Sequence, residues 1–210
     1  MGLAIGDFYS NFHLLMRWIH VFAGIVWIGH LYFFNFVNVQ LQGALDDDAK
    51  KIVNPQLMPR ALWWFRWGAM ITFIAGLILF TMIYMYTPGQ GFGPTSLFRS
   101  EGHITGRAIW ILFGMSFGIM MWYNVWFKIW PAQKKILSKK ATGDEAAKLR
   151  TMATKRSRMN TFFSGPMLFG MLAPSHYGSV NLVTLGVVLA VGFAVIYQSY
   201  AISKSAGKTI

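Results

Sequence analysis

Cysteine is absent from the 210 residues, which excludes disulfides, thiolate metal sites, iron–sulfur clusters and covalently attached c-type haem. Charge is scarce as well. Only 12% of the residues are Asp, Glu, Lys or Arg, about half the share of an average soluble domain and too few to coat a water-facing surface. Acid is scarcest, with 7 carboxylate side chains against 19 Lys and Arg. The first residues, Met1 to His13, carry Asp7 and no Lys or Arg, so no cleavable signal peptide is expected.

What is abundant is apolar: 55% of the chain is hydrophobic and 17% aromatic. Long apolar runs cover about 14–39, 62–86, 107–130 and 180–202, and a shorter one covers 161–173. The four longer runs reach the roughly 20 residues that cross a bilayer as helix. The shorter run contains Pro166 and is followed by Pro174, which predicts a kinked helix whose freed backbone groups find protein partners. The expected fold is an all-α integral membrane protein, one domain over 1–210, with a bundle of about five transmembrane helices.

The cations set the orientation. Segment 131–160 holds Lys134, Lys135, Lys139, Lys140, Lys148, Arg150, Lys155, Arg156 and Arg158 against Asp144 and Glu145. The first loop adds Lys50, Lys51 and Arg60, and the tail adds Lys204 and Lys208. Five spans put all three regions on one side, and the positive-inside rule makes that side cytoplasmic. The N-terminus is then periplasmic, the C-terminus cytoplasmic, and the location a bacterial inner membrane. Cations confined to loops also argue against nucleic acid as a partner and for membrane lipid. Lys139–Arg158 reads either as an amphipathic helix on anionic lipid or as a solvated loop.

Aromatic residues collect near span ends, at Trp63, Trp64, Trp67, Tyr84, Tyr86, Trp122, Trp126 and Trp130, as an interfacial belt or a stacking surface. The 13 methionines are expected to fill gaps in the packing. Gly114 and Gly118 have the spacing that lets membrane helices approach closely.

Five histidines are the obvious metal-ligand set. His13 and His20 share a helix face with Arg17, whereas His30 is turned from it by roughly 80°. His103 and His176 fall in loops on the periplasmic side. Intramembrane ionisable groups face partners or cofactors. A haem b held by imidazoles is one expectation, with His20 and His176 as iron ligands and His103 and His30 as further candidates. Hydrogen bonding to a backbone carbonyl is the alternative for each. Arg66, set among Trp63, Trp64 and Trp67, and Arg107 are candidates to meet an anionic group such as a haem propionate.

Arg17-Trp18-Ile19-His20-Val21-Phe22-Ala23-Gly24-Ile25-Val26-Trp27-Ile28-Gly29 resembles the first helix of the membrane-bound, cytochrome c-linked urate hydroxylases, the urate oxidase N-terminal domain family. Trp63-Trp64-Phe65-Arg66-Trp67 is similar to the opening of that family's second span. Gly106-Arg107, Gly118-Ile119-Met120, Asn124-Val125-Trp126 and Pro131-Ala132-Gln133-Lys134-Lys135 are similar to a later span and its exit. Ser157-Arg158-Met159-Asn160-Thr161, Pro166-Met167-Leu168-Phe169 and Ser175-His176-Tyr177 are similar to the last matching block. The resemblance covers most of 14–177, and the final helix matches only in character.

Several polar positions of that pattern are replaced. Trp63 and Leu112 stand where the family has His, Gly68 where it has Glu, and Met159 where it has His. A His-Gly-Gly segment is missing, and the 210 residues, without cysteine, include no cytochrome c domain. Of the family's histidines only His20 and His176 are kept. The resemblance implies redox chemistry coupled to a cytochrome c. The expected function is a membrane electron-transfer subunit binding haem b near the periplasmic face and exchanging electrons with a c-type cytochrome or a larger respiratory complex. Two alternatives stand beside it: a urate-hydroxylase-like oxidoreductase using a separate cytochrome c, and a cofactor-free accessory subunit.

Overall fold

The computed structural model describes residues 7–207. Lys208 of the basic tail and the first residues, Met1 to Gly6, lie outside the described residues.

The chain is nearly all helix. Five long helices follow one another: α1 Phe8–Ala44, α2 Asp47–Tyr84, α3 Gly106–Leu137, α4 Gly143–Leu172 and α5 Leu182–Ser203. The contacts between neighbours make consecutive helices antiparallel, so two ends can be named. The hairpin end carries Phe8, Tyr84 and a loop with two small antiparallel ribbons, β1 (Tyr86–Thr87) with β2 (Gly91–Phe92) and β3 (Arg99–Ser100) with β4 (His103–Ile104). The basic end carries Ala44, Leu137 and Ser203. α1, α2, α3 and α5 are long and apolar enough to cross a membrane.

Local chemistry fixes the helix starts. Asp7 accepts from the amides of Tyr9 and Ser10, Asp46 from Ala49 and Thr105 from Ala108. Asn181 and Thr184 bond each other's backbone in a capping box. Each satisfies amides that the first helical turn leaves unpaired.

The helices outrun the apolar runs. α2 starts at Asp47, well before position 62, because Asp46 caps it and Asp47 and Asp48 favour its N-terminal dipole. Segment 131–160 is mostly helix rather than loop. α3 continues to Leu137, and α4 begins at Gly143 and runs unbroken to Leu172. The basic stretch Lys139–Arg158 is thus largely the first half of the helix that holds the short apolar run. Pro166 is absorbed without a break. α4 misses the hydropathy pattern because its first half is charged, from Asp144 to Arg158, and because its apolar half includes Asn160, Thr161 and Ser164, which are completely buried and bonded inside the protein.

The packed core joins Trp27, Ile28 and Leu31 of α1 to Leu62, Phe65 and Ala69 of α2, Met121 and Val125 of α3, and Met167 of α4. Two glycine contacts set the closest approaches between helices. A Cβ on Gly170 would lie 2.6 Å from the Gly114 Cα, and one on Gly165 would lie 2.6 Å from the Gly192 carbonyl oxygen. The first joins α3 to α4, the second α4 to α5. Gly118, the other half of the expected pair, is not tight, its nearest neighbour being the Met171 methyl at 3.8 Å.

Two helices contain a π-helical segment, Phe33–Asn38 in α1 and Asn124–Ile129 in α3. Both present buried asparagines to α4. Asn35 donates to the Ser157 hydroxyl and the Leu31 carbonyl and accepts from the Tyr200 hydroxyl of α5. Asn124 donates to the Asn160 side chain at 2.7 Å, and Asn160 donates to the Met121 carbonyl.

Candidate functional site

α1 and α2 pack as one close antiparallel pair and α3 and α4 as another. The Tyr9 hydroxyl donates to the Met82 carbonyl at 2.7 Å, which sets the start of α1 level with the end of α2. At 1.5 Å per residue, His20 then lies about 18 Å from the hairpin end, and so does Thr72. The two meet there: the His20 Nδ1 is 2.9 Å from the Thr72 carbonyl oxygen. A carbonyl only accepts, so Nδ1 carries the proton and Nε2 keeps its lone pair. That nitrogen makes no hydrogen bond among the described residues.

Gly76, one turn beyond Thr72, makes room for the ring. A Cβ there would stand 2.9 Å from the His20 Cε1. The ring lines a cavity of about 500 Å³ between the two helix pairs. Its wall is apolar: Trp27 and Ile28 from α1, Phe73 from α2, and Met115, Met167 and Met171 from α3 and α4. Besides His20, the polar side chains on it are Thr72 and Tyr32, whose hydroxyls are engaged with the Gly68 carbonyl and Ser164.

The other predicted residues lie elsewhere. His176 follows α4 at the hairpin end and is exposed, and His103 is exposed in β4; neither lines this cavity. The His30 Nδ1 bonds the Val26 carbonyl at 2.7 Å within its own helix. His13 shares a contact of 3.3 Å with the Arg17 guanidinium. Arg66 stacks on the Trp130 ring at 3.7 Å, and its backbone carbonyl accepts from the Trp126 indole. Arg107 lies in the first turn of α3, at the hairpin end. The Nε atoms of both arginines are buried without a partner among the described residues. No group of three or more His, Asp or Glu is placed to hold a metal ion among the described residues.

Trp63, Trp64, Trp67, Trp126 and Trp130 form one cluster around Arg66 at a common depth, as an interfacial belt requires. Trp122 is different. It stacks on Phe73 at 4.1 Å, behind the cavity wall. Sequence reasoning did not reach Thr72, Tyr32 or Asn35, and it met Asn124 and Asn160 only inside the family-like blocks. The asparagines carried a signal, being amides inside or beside apolar runs, where an unpaired amide is costly. Thr72 carried none, since its carbonyl rather than its side chain holds His20.

The family model of the urate oxidase N-terminal domain matches residues 43–92 and 95–209. The chain belongs to that family. The match takes in α2 to α5, including Thr72, Gly76 and the three methionines, and it extends over the final helix. It leaves most of α1, with His20, outside the matched residues. No curated protein and no solved structure matches the chain.

Proposed function

We propose that this member of the urate oxidase N-terminal family is a five-span protein of the bacterial inner membrane, with its hairpin end periplasmic and its basic end cytoplasmic. In this reading it carries electrons, holding a haem b on His20 and exchanging electrons with a c-type cytochrome or a larger membrane complex. The observation behind the reading is the His20 imidazole, with Nδ1 bonded to the Thr72 carbonyl and Nε2 unbonded on an apolar cavity. A carbonyl behind the ring fixes tautomer and orientation and raises the basicity of a metal-ligating histidine. Such a nitrogen is poorly used in a purely structural histidine.

The residues fit a haem in three respects. The cavity volume of about 500 Å³ lies in the range of cofactor sites, about 300–1,000 Å³. Its lining is apolar, as the porphyrin faces require. Beside His20, the thioethers of Met115, Met167 and Met171 on its wall would be the further donors to hold the group, whereas His176 is not on that wall. Arg17, one turn before His20 on the same helix, contacts His13 and is not on the cavity wall. Bound there, haem would supply a one-electron carrier, and the protein's own role would be to orient the imidazole and exclude water.

In this reading the second half of α4 crosses as the fifth span, because its buried polar residues, Asn160, Thr161 and Ser164, are bonded within the bundle, while the charges of its first half stay at the basic end. Five spans also bring Lys50, Lys51 and Arg60, the cations of 131–160, and Lys204 to one side.

Family membership favours a second reading, a urate-hydroxylase-like oxidoreductase working with a separate cytochrome c. The cavity gives it less support, because no Arg or Lys lines it to hold an anionic purine.

One experiment separates the readings. Gently purified protein is examined by dithionite-reduced minus oxidised absorption and by pyridine haemochromogen, and the same membranes are assayed for urate-dependent reduction of added cytochrome c. A stoichiometric b-type α band, lost in His20→Ala and retained in His103→Ala, is expected, with no urate dependence. A flat spectrum from folded protein would sink the haem assignment, and urate-dependent reduction would favour the enzyme.

A further inference from the structure

A second concavity adjoins the His20 cavity along α1, sharing Ile25 and Gly29 with it, and lies toward the basic end. It is an open groove of about 980 Å³. Its wall is apolar except for three side chains, His30 of α1 and Gln56 and Arg60 of α2. Measured along the helices from the level ends Phe8 and Tyr84, His30 lies about 33 Å and Arg60 about 36 Å away. The two residues therefore share one depth. It is the depth at which about 30 Å of hydrocarbon gives way to headgroups.

The geometry points to a binding site for an anionic phospholipid of the phosphatidylglycerol type, with its headgroup between Arg60 and His30 and an acyl chain lying along the groove. Charge selects the headgroup. The Arg60 Nη1 donates to the Gln56 carbonyl and to the Gln56 side-chain oxygen at 3.0 Å. That clamp fixes the guanidinium and leaves its remaining donors free. No carboxylate lines the groove, so a phosphodiester is the complementary ligand.

His30 adds the second requirement. Its Nδ1 is committed to the Val26 carbonyl, which leaves Nε2 as an acceptor. An acceptor beside a phosphate site is matched by a headgroup hydroxyl, which glycerol supplies and choline does not. Shape suits the tail. Ile52, Trp64 and Ile25 are strongly exposed on this wall, and nothing stands within 4 Å of a Cβ placed on Gly29, so the floor stays open to a hydrocarbon chain.

The test uses the full chain, purified in mild detergent, offered dioleoyl phosphatidylglycerol or dioleoyl phosphatidylcholine, and read by native mass spectrometry. The expected result is a preference for phosphatidylglycerol of about tenfold, the scale of one charge-assisted contact. Arg60→Gln removes that preference, Arg60→Lys keeps most of it, and His30→Phe lowers it severalfold. Lys51→Gln, an exposed cation already paired with Asp48 at 2.8 Å, leaves it intact. Equal retention of the two lipids by the unsubstituted protein would overturn the site. So would an unchanged preference in Arg60→Gln, or an equal loss in Lys51→Gln, which would mark diffuse attraction to the basic end.

Discussion

His20 takes its chemical character from two residues on the neighbouring helix. The Thr72 carbonyl takes the proton-bearing nitrogen, and Gly76 vacates the volume that the ring occupies. Replacing Gly76 by valine therefore pushes on the imidazole without removing the carbonyl it bonds. If the haem proposal holds, Gly76→Val is expected to displace the ring from the Thr72 carbonyl and to lower haem content about tenfold, the usual cost of losing support behind a metal ligand. Gly43→Ala, also on a helix and with nothing within 4 Å of its Cβ, is the matched control and should leave the α band unchanged. Normal haem in Gly76→Val would mean that the carbonyl contact does not help to hold the ligand.

At the scale of the elements, α4 is held by backbone contact on two sides. Gly170 meets Gly114 of α3, and Gly165 meets Gly192 of α5. A side chain at either point must push the helices apart, since the nearest atoms are backbone. Gly170→Leu is expected to cost about 1–3 kcal/mol or more, measured as a shift in the midpoint of denaturant unfolding in mixed micelles. Gly186→Leu on the open face of α5 should cost close to nothing.

The apolar runs predicted four helices well, because burial in lipid writes itself as uninterrupted hydrophobicity. They underestimated α4, whose first half is charged and whose buried polar residues are satisfied within the protein. Asn160 needs Asn124 and Met121, and no local pattern announces a partner 36 residues away. The same reason explains the site. His20 was legible as an ionisable group in a span, whereas the group that fixes its tautomer is a carbonyl, which every residue has. Nothing in the sequence distinguished Thr72.

For the whole molecule the consequential quantity is the number of crossings. The absence of cysteine makes it directly measurable, since every introduced thiol is unique. Single substitutions Glu101→Cys and Ser175→Cys at the hairpin end and Ser138→Cys and Ser205→Cys at the basic end all fall on exposed positions. With five spans, an impermeant maleimide added to intact cells labels the first two, and the last two react only after the membrane is opened. Labelling of Ser205→Cys from outside, with Ser138→Cys protected, would mean that α4 does not cross.

The π-helical segments bear on how much of this arrangement is free to vary. A π turn holds one residue more than the α-helical pattern, so it shifts the phase of everything beyond it by about 100°. α1 before Phe33 offers His20 to α2; after it, the same helix offers Asn35 to α4 and α5. The two halves thus answer to different neighbours, and a single inserted residue keeps both seams in register at once. A deletion within 33–38 would leave the His20 seam in place and rotate the Asn35 seam into lipid, uncoupling the two ends of one helix.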